Sequence, residues 1–142
     1  MNEYTESYSP DKISLHDCRA DRISLNERQL TFYFSHGFSL RCDDGNYTDT
    51  GSSELCFTLS YDPQTAVTVY IFTEKDNMTI RENITLSDLT EMINGGCKLE
   101  FLYSSKGDET DIYRCWLWAD KKPYHKECML IISADKTIYR WE

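Results

Sequence analysis

The chain has no apolar run approaching the ~18 residues of a membrane span. Its opening, "MNEYTESYSPDK", is polar and acidic with no apolar centre, so it does not read as a secretory signal. Glycine and proline are scarce, six and three in 142 residues, which excludes collagen-like and low-complexity classes. Basic residues are outnumbered 15 to 24, and the densest basic run is only Lys121-Lys122 with Lys126 behind it. A formal charge of −9 without a segregated basic patch repels nucleic acid and anionic membranes. There is no Cys-x-x-Cys, no phosphate loop, no Gly-x-Ser-x-Gly elbow and no dinucleotide fingerprint.

Aromatic residues are plentiful: ten tyrosines, six phenylalanines and three tryptophans favour strands, because rings pack well on a pleated surface. At 142 residues the chain reads as one domain, with residues 1–12 a flexible lead-in and 13–142 a single β-rich unit. A chain of this size buries about two thirds of its unfolded surface and needs no disulfide or metal to hold a core. The six cysteines, at 18, 42, 56, 97, 115 and 128, are an even number, and sequons at Asn46, Asn77 and Asn83 also point toward secretion. Against this, the cysteines fall inside apolar strand patterns, as buried free thiols do, and the opening is polar. The expectation is a reducing cytoplasm.

Hydrophobic alternation sets the element pattern. "HDCRADRISL" (16–25) reads as a strand with a phase slip, and a bulge, at Asp21-Arg22. "QLTFYFS" (29–35) puts Leu30, Phe32 and Phe34 on one face, and His36-Gly37 reads as a tight hairpin turn into "FSLRC" (38–42). "DDGNYTDTGSS" (43–53) is composed of turn formers and reads as the longest surface loop. "ELCFTLS" (54–60) and "AVTVYIFTE" (66–74) are strands about a proline turn. "ITLSDLTEMINGG" has Ile84, Leu86, Leu89, Met92 and Ile93 at helical spacing, a Thr85/Asp88 capping box and a Gly95-Gly96 stop. Strands over 97–105, 110–119, 126–133 and 137–141 complete the chain. The expected fold is mainly β (α+β), an antiparallel two-layer sheet or partly open barrel of about nine strands with one helix.

Four stretches invite chemistry. "CWLWADKKPYHKEC" (115–128) reads as a hairpin turning at Asp120–Pro123, with Cys115 opposite Cys128 and Trp118 opposite His125. Zinc through His125-x-x-Cys128, with His16-x-Cys18, lacks paired knuckles and regular spacing. In an extended strand His16 and Cys18 share a face and Asp17 opposes them, so Asp17 would not orient His16 for nucleophilic work. Asp43, Asp44, Asn46 and Asp49 crowd one segment but do not follow a calcium-loop order. No catalytic residue, metal or cofactor is therefore expected. The same acids, with Asp108, Glu109 and Asp111, suit an acidic docking surface, with Tyr47 and Tyr124 as aromatic anchors. An acidic mimic of nucleic acid would need its carboxylates in rows, and these are scattered.

"LHDCRADRISLNERQLTFYFSHGFSL" resembles the N-terminal pattern of small bacterial proteins: a His-Asp strand, a Leu-x-Phe-x-Phe strand and a Gly-Phe hairpin. "LEFLYSS…CWLWADKKPYHKECMLIIS…IYRWE" resembles the C-terminal half of uncharacterised proteins of anaerobic Gram-positive bacteria. Through His16, Asp17, Ile23, Leu30 and Phe32 the opening is also similar to immunity families of polymorphic toxin systems. The resemblance implies a mainly β fold and a cytoplasmic binding role, with no site residue carried over. Three functions follow as expectations. The first is a non-enzymatic interaction protein, in its specific form an immunity protein occluding a basic toxin domain. The second is a small-molecule-binding β domain with an aromatic-lined pocket. The third is a hydrolytic or metal enzyme, which lacks a motif.

Overall fold

A computed structural model describes residues 1–6 and 12–142; residues 7–11, the middle of the expected lead-in, lie outside the described residues. The strands are β1 (Asn2–Thr5), β2 (Ile13–Ser14), β3 (Cys18–Ala20), β4 (Arg22–Asn26), β5 (Gln29–Phe34), β6 (Ser39–Arg41), β7 (Tyr47–Asp49), β8 (Ser53–Leu59), β9 (Val67–Lys75), β10 (Met78–Ile84), β11 (Lys98–Lys106), β12 (Asp111–Trp118), β13 (His125–Ile132) and β14 (Ala134–Trp141). Two helices, α1 (Pro63–Ala66) and α2 (Leu86–Asn94), interrupt them. The fold is mainly β with antiparallel sheets and no closed barrel. A five-stranded sheet, sheet I, runs β1-β14-β8-β5-β4; a six-stranded sheet, sheet II, runs β10-β9-β13-β12-β11-β3; and β2-β6-β7 form a small third sheet.

The two large sheets face each other through rings. Alternation puts Leu30, Phe32 and Phe34 of β5 and Leu55, Phe57 and Leu59 of β8 fully inside. From the other layer come Leu99 and Phe101 of β11, Tyr113 and Cys115 of β12, and Cys128 and Leu130 of β13. Phe101 lies 5.6 Å, ring centre to ring centre, from both Phe32 and Phe34, and Phe57 lies 5.7 Å from Tyr113. The edge-to-face contacts among these, Phe101–Phe32 and Phe57–Tyr113, add about 0.5–1.5 kcal/mol each to the burial of the rings. α2 seals one side, packing Leu86, Leu89 and Ile93 against β4 and β9. Its capping box forms as expected: Asp88 N–H donates to Thr85 Oγ1 at 3.0 Å, and Thr85 N–H to Asp88 Oδ2 at 3.3 Å. Met92 is instead exposed, and Ile84 belongs to β10.

Several segments differ from the reading of the sequence. Residues 16–25 are not one bulged strand: β3 pairs with β11 in sheet II, β4 pairs with β5 in sheet I, and the chain changes layers at Asp21. The phase slip is that change of layer. Gly37 does not close a hairpin on β5; at φ 77° it sends the chain into the third sheet, where β6 pairs with β2 and β7. A Cβ there would lie 2.3 Å from the carbonyl oxygen of Thr50, so only glycine fits. The expected loop over 43–53 contains β7, and its turn shrinks to Asp43–Asn46, with Gly45 at φ 87°. β10 was hidden because nearly every residue of it is exposed and its apolar Met78, Ile80 and Ile84 are interrupted by Glu82; Asp76 and Asn77, at φ 52° and 62°, make its hairpin turn from β9. Within the lead-in, Asn2–Thr5 is a strand paired with β14, with Tyr4 against Tyr139 and Glu3 bonded to Arg140. Among the described residues fourteen strands replace about nine: β1, β2 and β7 are too short to show a period, β10 is exposed, and 16–25 divides into β3 and β4.

Candidate functional site

The β11–β12 connection is a short turn over residues 107–110. Gly107 N–H donates to Thr110 O at 3.0 Å, and a Cβ on Gly107 would meet that same oxygen at 2.6 Å. The turn places Lys106 directly opposite Asp111, both on the inner face of sheet II. A lysine at the mouth of an apolar interior requires acceptors. Its Nζ donates to Tyr113 Oη at 2.6 Å, Asp111 Oδ2 at 3.3 Å and Glu6 Oε2 at 3.2 Å. Glu6 comes from the other layer, where its N–H bonds Thr137 O at 2.9 Å and extends the β1–β14 pairing. Tyr139 Oη donates to Glu6 Oε1 at 3.3 Å. Five side chains thus close the open end of the sandwich. Burial pushes the Tyr113 and Tyr139 hydroxyls well above the ordinary phenol range, so both stay protonated and hold this geometry.

Two clefts flank this plug and share Glu6 and Lys106. One, of about 340 Å³, is walled by Ile13, Leu15, His16, Tyr47 and Tyr103. The other, of about 440 Å³, is lined by Asp108, Glu109, Asp111, Asp135 and Lys136. Around the second, five carboxylates face two ammonium groups, so it has a negative field suited to guanidinium or ammonium groups. No family model, no curated protein and no solved structure matches this chain. The site is read from its own geometry.

Of the eight expected docking residues, Asp108, Glu109 and Asp111 line the acidic cleft and Tyr47, 54% exposed, lines its neighbour. Asp43, Asp44 and Asp49 sit on the same β6–β7 hairpin as Tyr47 but line neither cleft. Asp44 accepts from Asn46 N–H at 3.0 Å, which lowers its pKa, and Asp49 accepts from Ser39 Oγ at 3.3 Å. Tyr124 is exposed at the far end of the β12–β13 hairpin, on the order of 20 Å from Asp111 at a strand's ~3.3 Å rise per residue. The eight therefore do not form one surface. Sequence reasoning missed Glu6, Lys106, Asp135 and Tyr139. Alternation from Leu99 and Phe101 would turn Lys106 outward, and the register shift between Phe101 and Tyr103 turns it in; Glu6 carried no signal.

The other stretches resolve into packing. Cys115 lies opposite Cys128 and Trp118 opposite His125, the register the hairpin reading predicts. All six cysteines are free thiols. His125 points to the outer face of sheet II and Cys128 to the inner, so these two do not converge on an ion. Among the described residues no group of three His, Cys, Asp or Glu side chains is placed to hold a metal. His16 and Asp17 correct the extended reading: Asp17 takes φ 64°, and its carboxylate comes to 3.4 Å from His16 Nε2. His16 Nδ1 lies 2.9 Å from Leu102 O. Burial pushes the Cys18 thiol up to about 11, and its Sγ turns to the Ser14 and His16 carbonyls. The neutral thiol is the wrong species for a nucleophile. Among the described residues no helix is long and apolar enough to cross a membrane.

Proposed function

We propose that the chain is a non-enzymatic, cytoplasmic interaction protein whose acidic cleft docks a basic protein partner. The observation that carries this reading is the excess of carboxylates at the mouth of the sandwich, on a chain of net charge −9. The aromatic surplus supports it too, because the rings expected to line a ligand pocket fill the interior in edge-to-face contact. The partner's Arg or Lys side chains enter between Asp108, Glu109 and Asp135, Tyr47 packs beside them, and the long-range field speeds association. In its most specific form the partner is a toxin domain whose basic substrate-binding surface is occluded, in keeping with the resemblance of the His16-Asp17 opening to immunity families.

The test is affinity capture from the native cell with the chain and with an Asp108→Lys, Glu109→Lys variant. A basic protein retained by the first, lost from the second and released by salt is the expected result. Capture indifferent to both changes removes the reading. Co-expression with the captured protein then tests neutralisation of its toxicity. A second reading, a small-molecule-binding β domain, draws on the cleft of about 340 Å³ between His16, Tyr47 and Tyr103. Saturable thermal stabilisation by one compound of a metabolite set, abolished by Tyr103→Ala, would favour it.

A further inference from the structure

The outer face of sheet II sets rings and aliphatic side chains among charged ones and carries no other described element. Direct strand partners share a face, so the register defines its rows. One row reads Arg19, Glu100, Trp116, Glu127, Phe72, Arg81 across five junctions. The next holds Tyr103, Arg114, Met129, Tyr70 and Asn83, and Ile112 lies opposite Ile131 beyond it. Trp116, Phe72, Met129, Tyr70 and Ile131 remain partly exposed, because α2 packs into the interlayer core through its own buried residues and does not cover them. The outer face of sheet I is built differently: its central row is Ser24, Thr31, Cys56, Ile138 and Thr5. There Gln29 Nε2 donates to Thr58 Oγ1 at 3.1 Å and Cys56 Sγ to Gln29 Oε1 at 3.2 Å, and the short side chains of Thr31 and Cys56, with Ile138, are themselves nearly buried and leave little apolar surface in water.

Four charges of the sheet II face are spent on one another, in two pairs. Arg19 Nε donates to Glu100 Oε1 at 3.1 Å, Trp118 Nε1 joins the same oxygen at 3.0 Å, Arg114 pairs with Glu127, and Arg81 stacks 4.6 Å over Tyr70. With Lys98 and Glu74, four cations stand against three carboxylates, on a chain whose net charge is −9. Such a face has no field to steer a basic partner. It is a place where a second −9 copy approaches without strong repulsion. Five strands at ~4.8 Å spacing and about seven residues at ~3.3 Å rise give a plane of roughly 500 Å², so two copies bury on the order of 1,000 Å², the lower bound of a specific interface.

We propose that this face pairs with the same face of a second copy, forming a two-fold dimer in which sheet II packs against sheet II and both acidic clefts stay free. Two sheets stack at about 10 Å with strands within ~30° of alignment, and one patch serves both subunits. The proposal is independent of the docking partner. It is tested by sedimentation of the purified full chain over micromolar to submillimolar concentration, at low and high salt. A monomer–dimer equilibrium that tightens with salt is expected, because salt screens the repulsion between two acidic copies; partner binding at the acidic cleft responds in the opposite sense. Trp116→Thr keeps a strand former and weakens the dimer by about tenfold or more. Met129→Lys, a second variant should the first misfold, places an ammonium in the middle of the face and abolishes it. Far-ultraviolet circular dichroism confirms that each is folded. Asp108→Lys at the acidic cleft leaves the dimer in place. A wild-type chain that stays monomeric throughout, or a dimer unmoved by a folded Trp116 or Met129 variant, overturns the proposal.

Discussion

The two large sheets share one core and differ on their backs. Sheet I turns Ser24, Thr31, Thr58 and Gln29 outward and ties them together with side-chain hydrogen bonds. Sheet II turns Trp116, Phe72, Tyr70 and Met129 outward and pairs its charges among themselves. The inner faces are equally apolar, so folding alone does not account for the difference. A sheet needs one hydrophobic face to fold; a second belongs to a surface that leaves water again. The comparison separates residues that hold the monomer from residues that await a neighbour, and each experiment below sharpens or breaks it.

The largest effect is expected where the two sheets depend on the same atoms. Phe101→Ala removes a ring that touches Phe32, Phe34 and Tyr113 and lowers stability by about 3–5 kcal/mol in urea unfolding. Both sheets are lost in a single transition. Two separate transitions would show that the sheets fold apart, and the comparison of their backs would lose its common reference.

Alkali acts next, and only on the inner face. Burial raises the Cys128 thiol from its ordinary 9.0 to about 12, and it raises Cys115 as well. Between pH 9 and about 12 the unfolded chain releases a proton that the folded chain keeps. Stability is full below pH 9 and falls as pH climbs through that window, with a slope of up to ~1.4 kcal/mol per pH unit for each thiol. Cys128→Ala removes its share of the slope, and neither Cys115 nor Cys128 reacts with a thiol reagent at pH 8 until the chain unfolds. An alkaline slope unchanged by Cys128→Ala would place that thiol in water.

The helix that seals the layers should give a smaller effect. Thr85→Ala removes the acceptor for Asp88 N–H and half of the capping box, and costs about 1 kcal/mol. Thr85→Ser restores most of it. The cost appears in the same single transition as that of Phe101→Ala, because α2 spans from β4 of sheet I to β9 of sheet II.

The capping box was legible in the sequence because its partners lie three residues apart. So was the β12–β13 register, where one turn fixes eight pairings. Long alternating runs such as 29–34 and 111–118 displayed their buried faces directly. What stayed hidden depends on contacts far apart in the chain. The change of layer at Asp21 looks like a bulge until β11 is known to pair with β3. β10 shows no unbroken apolar face because it is an edge strand with both faces wet. At the site, Asp108, Glu109 and Asp111 could be found from their density, whereas Glu6 joins them only because Asn2–Thr5 pairs with a strand more than 130 residues later. The back of sheet II was half visible: the alternation separated Trp116 and Trp118 from Cys115 and Leu117, but showing that their face has no cover needed the position of α2.

The smallest effect discriminates best between the two backs, because each carries an Arg–Glu pair of matching exposure. Arg140 Nε donates to Glu3 Oε2 at 3.0 Å on sheet I, and Arg114 pairs with Glu127 on sheet II. All four side chains are about one-third to one-half exposed, so solvent screening limits each pair to about 0.2–1 kcal/mol in the monomer. Double-mutant cycles at concentrations below dimer formation should therefore return similar coupling energies that fade together with salt. Above that concentration the sheet I pair keeps its value and its salt sensitivity. The sheet II pair loses water on association, so its coupling grows and becomes nearly indifferent to salt. If the two pairs remain alike at every concentration, the back of sheet II is as wet as that of sheet I, and its tryptophans and phenylalanine need another explanation.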